Sequence, residues 1–77
     1  MPSRRLRYME EPLLTQLAQV NQHIALGLSH IGRQRDIMHN FDRSGHDTAL
    51  AKRTLDMLIE TQRKHVERRD KLLGMLT

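Results

Sequence analysis

The sequence predicts an all-α fold, an antiparallel two-helix hairpin that dimerises into a four-helix bundle. Two long segments repeat apolar residues at spacings of three and four, which places one apolar stripe along one side of each helix. A single Gly-containing turn at residues 45–47 separates them. The 77-residue chain has no cysteine, so disulfides and thiolate metal sites are excluded, and we expect a partner chain to complete its small core.

The residues before the first helix form a basic segment. Residues 1–9 show no apolar periodicity and are predicted to be a flexible arm. Pro12 suits the first turn of a helix, where its missing N–H would have no partner, and Glu11 favours the positive end of the helix dipole. We therefore predict one helical-hairpin domain over residues 10–77, with its first helix over residues 11–44. The arm is basic because it contains Arg4, Arg5 and Arg7.

The first helix is predicted to be continuous because its stripe keeps the same phase across Gly27 and Gly32. Each interior glycine costs about 1 kcal/mol relative to alanine, so a break near Gly27, giving a three-helix bundle, is the alternative. The stripe consists of Leu13, Leu17, Val20, Ile24, Leu28, Ile31, Met38 and Phe41.

The turn and the second helix follow from local signals. Gly45 can adopt the left-handed conformation that ends a helix. Asp47 can accept a hydrogen bond from the first turn of the second helix, which is predicted over residues 48–76. A short turn makes the helices antiparallel neighbours, and counting from it places Gly27 opposite Gln62. The polar residues Gln62, His65 and Arg69 are expected to fix this register. The second stripe consists of Ala51, Leu55, Leu58, Ile59, Val66, Leu73 and Leu76.

A segment without charge predicts an interface. No Asp, Glu, Lys or Arg occurs from Pro12 to Gly32, and uncharged side chains cost much less to bury than ions. We expect this half of the first helix to be covered by a second copy in a homodimer or by an unidentified protein partner. The expected interface residues are Leu13, Leu17, Val20, Ile24, Leu26, Gly27, Leu28 and Ile31.

The second helix is charged instead. Residues 60–71 are predicted to face solvent, with Glu60 paired to Lys64 and Glu67 paired to Lys71 at spacings of four.

These features favour a non-enzymatic interaction or regulatory module without a cofactor, because no activated nucleophile or phosphate loop is present. The chain lacks a run of about 18 apolar residues, so we expect no membrane contact and a cytoplasmic location. A metal or small-ligand site is a further alternative, and it would use His23, His30 or His65. The sequence does not contain the complete set of ligands that a helical-bundle metal site requires.

Nucleic-acid binding is the other alternative, but the charge distribution disfavours it. The net charge is +4, of which the arm contributes +3 and residues 10–77 only +1. Contacts to phosphates would come from Arg4, Arg5, Arg7, Arg63, Lys64, Arg68 and Lys71.

Residues 23–76 resemble a group of short bacterial helical proteins of unknown function. This resemblance implies a helical hairpin and carries no activity, ligand or partner with it. The residues that carry it are His30-Ile31, Gln34-Arg35, Gly45-His46-Asp47-Thr48, Ala51, Thr61-Gln62, His65, Arg69-Asp70 and Leu72-Leu73.

Overall fold

The computed structural model describes the backbone of residues 4–76 and the side chains of residues 10–76. Helix α1 spans Arg4–Arg43 and helix α2 spans Ala49–Leu76, and the described residues contain no strand. The two helices pack against each other along their length. The predicted all-α two-helix hairpin is therefore confirmed.

The hairpin is a rod. Its Cα atoms extend over 65 × 14 × 13 Å, with a radius of gyration of 18.2 Å. A compact domain of this length would have a radius of gyration of about 11.5 Å. Two helices side by side have no third layer to cover them, so most of each helix surface faces outward.

Helix α1 is continuous through Gly27 and Gly32, so the alternative three-helix bundle is wrong. Both glycines lie in the part of α1 that packs against α2. The free energy gained from this packing outweighs the low helix propensity of glycine.

The start of α1 differs from the prediction. The helix begins at Arg4 and not at residue 11, so Pro12 lies inside it. At that position Pro12 cannot donate a backbone hydrogen bond to the carbonyl of Tyr8, so α1 lacks one bond of its regular series there. For the predicted arm, the structure describes only the backbone of residues 4–9, which is helical. The side chains of Arg4, Arg5 and Arg7, and with them the hypothetical phosphate contacts, lie outside the described residues.

The turn ends α1 with a Schellman motif. Gly45 has a φ of 74°, a left-handed conformation that glycine adopts without steric cost. The N–H of His46 donates to the carbonyl of Phe41 at 2.9 Å, and the N–H of Gly45 donates to the carbonyl of Asp42 at 3.1 Å. On the other side of the turn, the Asp47 carboxylate accepts the N–H of Ala49 at 2.9 Å, which satisfies a free donor at the start of α2.

The core is a single seam between the helices. Its buried apolar residues are Val20, Ile31, Ala51, Leu55 and Leu72, and one polar residue, Gln62, is buried with them. Two hydrogen bonds from side-chain amides to backbone carbonyls cross the seam: the Gln34 amide donates to Ala51 at 3.1 Å, and the Gln62 amide donates to Ile24 at 2.8 Å. These bonds fix the antiparallel register.

Several stripe residues of the sequence prediction lie outside the seam. Leu28 is 61% exposed because the seam position at that level is taken by Gly27, against which Gln62 packs. In the same way Leu72, 5% exposed, occupies the seam where Leu73 was expected, and Leu73 is 42% exposed. Phe41 and Ile59 are also exposed, each at an edge of its helix interface.

Candidate functional site

The exposed apolar side chains concentrate on one face of the hairpin. A helix turns by about 100° per residue, so residues can be assigned to the two faces that flank the seam. Contacts between the helices fix the assignment, because His23 contacts His65 and Arg68 bonds Gln16 on the same side. We call this side the histidine face. Its members are Gln16, Gln19, His23, Leu26, His30, Ile37 and Phe41 from α1, and Leu50, Thr54, Met57, Thr61, His65, Arg68 and Met75 from α2.

Six large apolar side chains of the histidine face are exposed to water. They are Leu26, Ile37, Phe41, Leu50, Met57 and Met75. No carboxylate occurs among the members of this face, and Arg68 is the one cation among them; Arg33 and Lys64 lie at its outer edge, seven residues from Leu26 and Met57. A face with several exposed apolar side chains and few charges is typical of a protein interaction site.

A shallow pocket of about 260 Å³ lies near the middle of the histidine face. Its apolar part comes from Leu26 and Leu58, and its polar part comes from histidine, threonine and glutamine side chains of both helices. The lining residues are His23, Leu26, Gly27, His30, Leu58, Thr61, Gln62 and His65.

The floor of this pocket is the contact between Gly27 and Gln62. A Cβ atom on residue 27 would lie 1.9 Å from Oε1 of Gln62, so only glycine leaves room for the glutamine. The Gln62 amide nitrogen is bonded to Ile24, whereas its Oε1 is buried without a hydrogen-bond partner. The glutamine therefore secures the register of the hairpin at the cost of one unsatisfied acceptor.

Three of the five histidines line the pocket. The rings of His23 and His65 contact each other across the seam, with centroids 5.2 Å apart and planes tilted by 44°. His30 lies two turns along α1 from His23 on the same face. In the described part of the chain, no group of three or more histidine and carboxylate side chains is placed to hold a metal ion.

The opposite flank, the charged face, carries ions of both signs. Its apolar members Leu14, Leu28, Ile59 and Leu73 alternate with charged residues, and a second cavity of about 560 Å³ near the turn is bordered by Arg35, Asp36, His39 and Asp42. Such a surface is well solvated. It is therefore less suited than the histidine face to burial by a partner.

The predicted ion pairs of α2 form with a different cation. Arg63 pairs with Glu60 at 2.6 Å and also with Glu67, instead of the predicted pairs of these acids with Lys64 and Lys71. The guanidinium offers a fork of donors that a lysine lacks, which allows one side chain to bind both carboxylates. The hydrogen bond from Arg63 lowers the pKa of Glu60 below its ordinary value.

The predicted interface residues fall into three groups. Val20 and Ile31 are buried against α2 of the same chain, and Leu13, Leu17, Ile24 and Gly27 are half-buried in the seam. Leu26 and Leu28 are exposed, but they lie on opposite faces. In the predicted polar seam, Gln62 is buried, and His65 and Arg69 are half-buried.

The sequence prediction named interface residues on the first helix alone, whereas the histidine face is built from both helices. The missing residues are Leu50, Met57, Thr61 and Met75. The available signal was their spacing: Leu50 and Met57 are seven residues apart, and Met75 follows Met57 by 18 residues, so all three lie on one side of α2.

Comparisons with known protein families, with curated proteins and with solved structures give no match to this chain. The resemblance to short bacterial helical proteins therefore stays a prediction. Within the described residues, neither helix has a stretch long and apolar enough to cross a membrane.

Proposed function

We propose that this chain is a non-enzymatic interaction module that acts as a helical homodimer. In this proposal the histidine face of one hairpin packs on the histidine face of a second copy, which gives a four-helix bundle. The observation that carries the proposal is the concentration of exposed apolar side chains and of uncharged polar residues on that face.

The exposed area supports a second copy as the occupant. The chain exposes 6541 Å², whereas a compact monomer of 9.1 kDa would expose about 4,900 Å². The excess of about 1,600 Å² is larger than the roughly 800 Å² that each partner contributes to a standard interface. An interface of standard size on one face of the rod would remove about half of this excess.

The charge pattern also favours self-association. A two-fold axis brings a surface against an identical copy, so a charge near the axis meets a charge of the same sign, and a surface without carboxylates offers none to the partner's cations. A face with no carboxylate and one arginine, already bonded to Gln16 at 3.3 Å, leaves few ions to desolvate in an interface, whereas the charged face would bury several.

The position of the pocket indicates where the axis would lie. Leu26 and Thr61 line the pocket and are near the middle of the length over which the two helices pair. An axis through this point gives two antiparallel hairpins the greatest overlap. Leu26 of each copy then lies at the centre of the interface, where anchor residues contribute most to binding.

Two leucines of the same helix provide a matched test. Leu26 is 57% exposed on the histidine face, and Leu28 is 61% exposed on the charged face. We expect Leu26→Asp to convert the dimer to a monomer in light scattering coupled to size exclusion, because the aspartate would be buried at the interface. Leu28→Asp should remain dimeric. Equal behaviour of the two variants would contradict the assignment of the interface.

Cysteine variants test the same assignment without adding a charge. The chain has no cysteine of its own, so Leu26→Cys and Leu28→Cys each introduce one thiol. Under mild oxidation, Leu26→Cys should form a disulfide-linked dimer much faster than Leu28→Cys does. Circular dichroism of both variants checks that the helices are retained.

A further inference from the structure

We propose that self-association through the histidine face is reversed by acid, with His23 and His65 as the groups that take up the protons. This inference rests on the proposed function, since it concerns the regulation of the same interface. It follows from the position of the two imidazoles and from the charges that surround them.

The geometry places both rings where a second copy would cover them. His23 and His65 contact each other at 5.2 Å and line the pocket beside Leu26. His23 is exposed in the single chain and His65 is half-buried, so water reaches both before association. Association over the pocket removes that water. An imidazole without water or a counter-ion is more stable in its neutral form.

No neighbouring carboxylate is available to balance the positive charge of a protonated imidazole. From α2, the cations Lys64, Arg68 and Arg69 lie within one turn of His65, and from α1, Arg33 lies one turn beyond His30. Arg69 is paired with Asp70 at 3.2 Å, and the other acids of this part of α2, Glu60 and Glu67, are bound by Arg63 on the charged face. No carboxylate belongs to the histidine face.

Symmetry extends this argument to the partner. In a homodimer, the surface that covers His23 and His65 is again the histidine face, which brings further imidazoles and Arg68 but no carboxylate. Protonation would therefore place positive charges together in a buried interface without a counter-ion. A heterologous partner with an acidic surface would have the opposite effect.

The direction of the pH dependence follows from linkage. Burial over the pocket disfavours a charged imidazole, so association strengthens as the pH rises and weakens as it falls. Each imidazole that must lose its proton when the dimer forms raises the dissociation constant by up to about tenfold between about pH 7.5 and pH 5.5. Four imidazoles in the dimer therefore set an upper bound of roughly 10⁴-fold.

The experiment measures the dimer dissociation constant by analytical ultracentrifugation at about pH 7.5 and pH 5.5. For the natural chain we expect an increase of at least about 30-fold at the lower pH. The double variant His23→Gln with His65→Gln should lose most of this change, and adding His30→Gln, the third histidine of the pocket, should bring it below about threefold. His39→Gln, which alters a histidine bordering the cavity of the charged face, should keep the full change. Circular dichroism at each pH checks that helix content is constant.

The outcomes separate this inference from the proposed function. A chain that does not dimerise at about pH 7.5 would overturn the proposed function, whereas a dimer whose affinity is the same at both pH values would overturn only the inference. If the double variant fails to associate, calorimetric dilution of the natural dimer at about pH 6 in two buffers of different ionisation enthalpy decides the question. Proton uptake on dissociation is expected, and zero uptake would refute the inference.

Discussion

Replacing Gly27 by alanine tests the register of the hairpin and the way its seam is packed. In an ordinary helix this substitution is favourable, because alanine has the higher helix propensity. At residue 27, however, the new Cβ would lie 1.9 Å from Oε1 and 2.8 Å from Cδ of Gln62. The glutamine would have to leave its position, and with it the 2.8 Å hydrogen bond to the carbonyl of Ile24. Gly32 is the matched control, since its Cβ would meet nothing within 4 Å.

The magnitude follows from the terms on each side. Gly32→Ala should raise the free energy of unfolding by about 0.5–1 kcal/mol through helix propensity alone. Gly27→Ala gains the same amount but loses the Gln62 hydrogen bond, about 1 kcal/mol, and much of the buried packing of that side chain, about 1–2 kcal/mol. We therefore expect Gly27→Ala to be destabilised by about 1–2 kcal/mol, which separates the two variants by roughly 2–3 kcal/mol.

Urea denaturation followed by circular dichroism measures both variants, at one fixed protein concentration because association also contributes to stability. The double variant Gly27→Ala with Gln62→Ala removes the obstructing amide, so Gly27→Ala should be stabilising in the Gln62→Ala background. If Gly27→Ala were as stabilising as Gly32→Ala in the natural background, Gln62 would not occupy the space beside Gly27. Its contact with Gly27 would then not be what holds the register.

Three further predictions concern the turn and the exposed ion pair. Gly45→Ala should lower the free energy of unfolding by about 1–2 kcal/mol in urea denaturation, because alanine is strained at a φ of 74°; an unchanged midpoint would contradict the Schellman turn. Asp47→Ala should cost about 1 kcal/mol through loss of the acceptor for Ala49, whereas Asp47→Ser should retain most of it. For Glu60, the hydrogen bond from Arg63 lowers the pKa, so the pair stabilises the helix above the ordinary carboxyl range and is lost as the pH falls through the lowered value. NMR titration should show the pKa of Glu60 rising in Arg63→Gln, and no change would refute the pairing.

The hairpin itself was predictable because two periodic signals and one turn signal agree. The apolar spacing of three and four specifies helices, and Gly45 with Asp47 supplies the residues that a short reversal requires. Counting outward from the turn also placed Gly27 opposite Gln62, where the structure has them in contact. Local sequence and tertiary packing favour the same arrangement. For this reason, counting residues outward from the turn gives the correct pairing of Gly27 with Gln62.

The edges of the seam were not predictable in the same way. Spacings of three and of four are both compatible with one helix face, so spacing alone does not decide between adjacent residues. The choice of Gly27 over Leu28, and of Leu72 over Leu73, depends on what the facing helix offers at that level. Hydrophobicity alone favours the leucine at residue 28. Shape complementarity with Gln62 favours the glycine.

Only the α1 part of the candidate site could be predicted from the sequence. The uncharged segment of α1 predicts an interface on the first helix, but the histidine face is built from both helices. Met57 and His65 join it only because the hairpin brings the same flank of α2 beside His23 and Leu26. Helical spacing within one segment does not show which residues of the two helices are neighbours. That requires the register between α1 and α2.

The most direct test of a covered histidine face is the mass of the natural chain in solution. Sedimentation equilibrium at neutral pH, over about 1–100 µM protein, should give twice the 9.1 kDa of one chain at the upper end of that range. A folded helical species of 9.1 kDa at every concentration would contradict the proposed assembly.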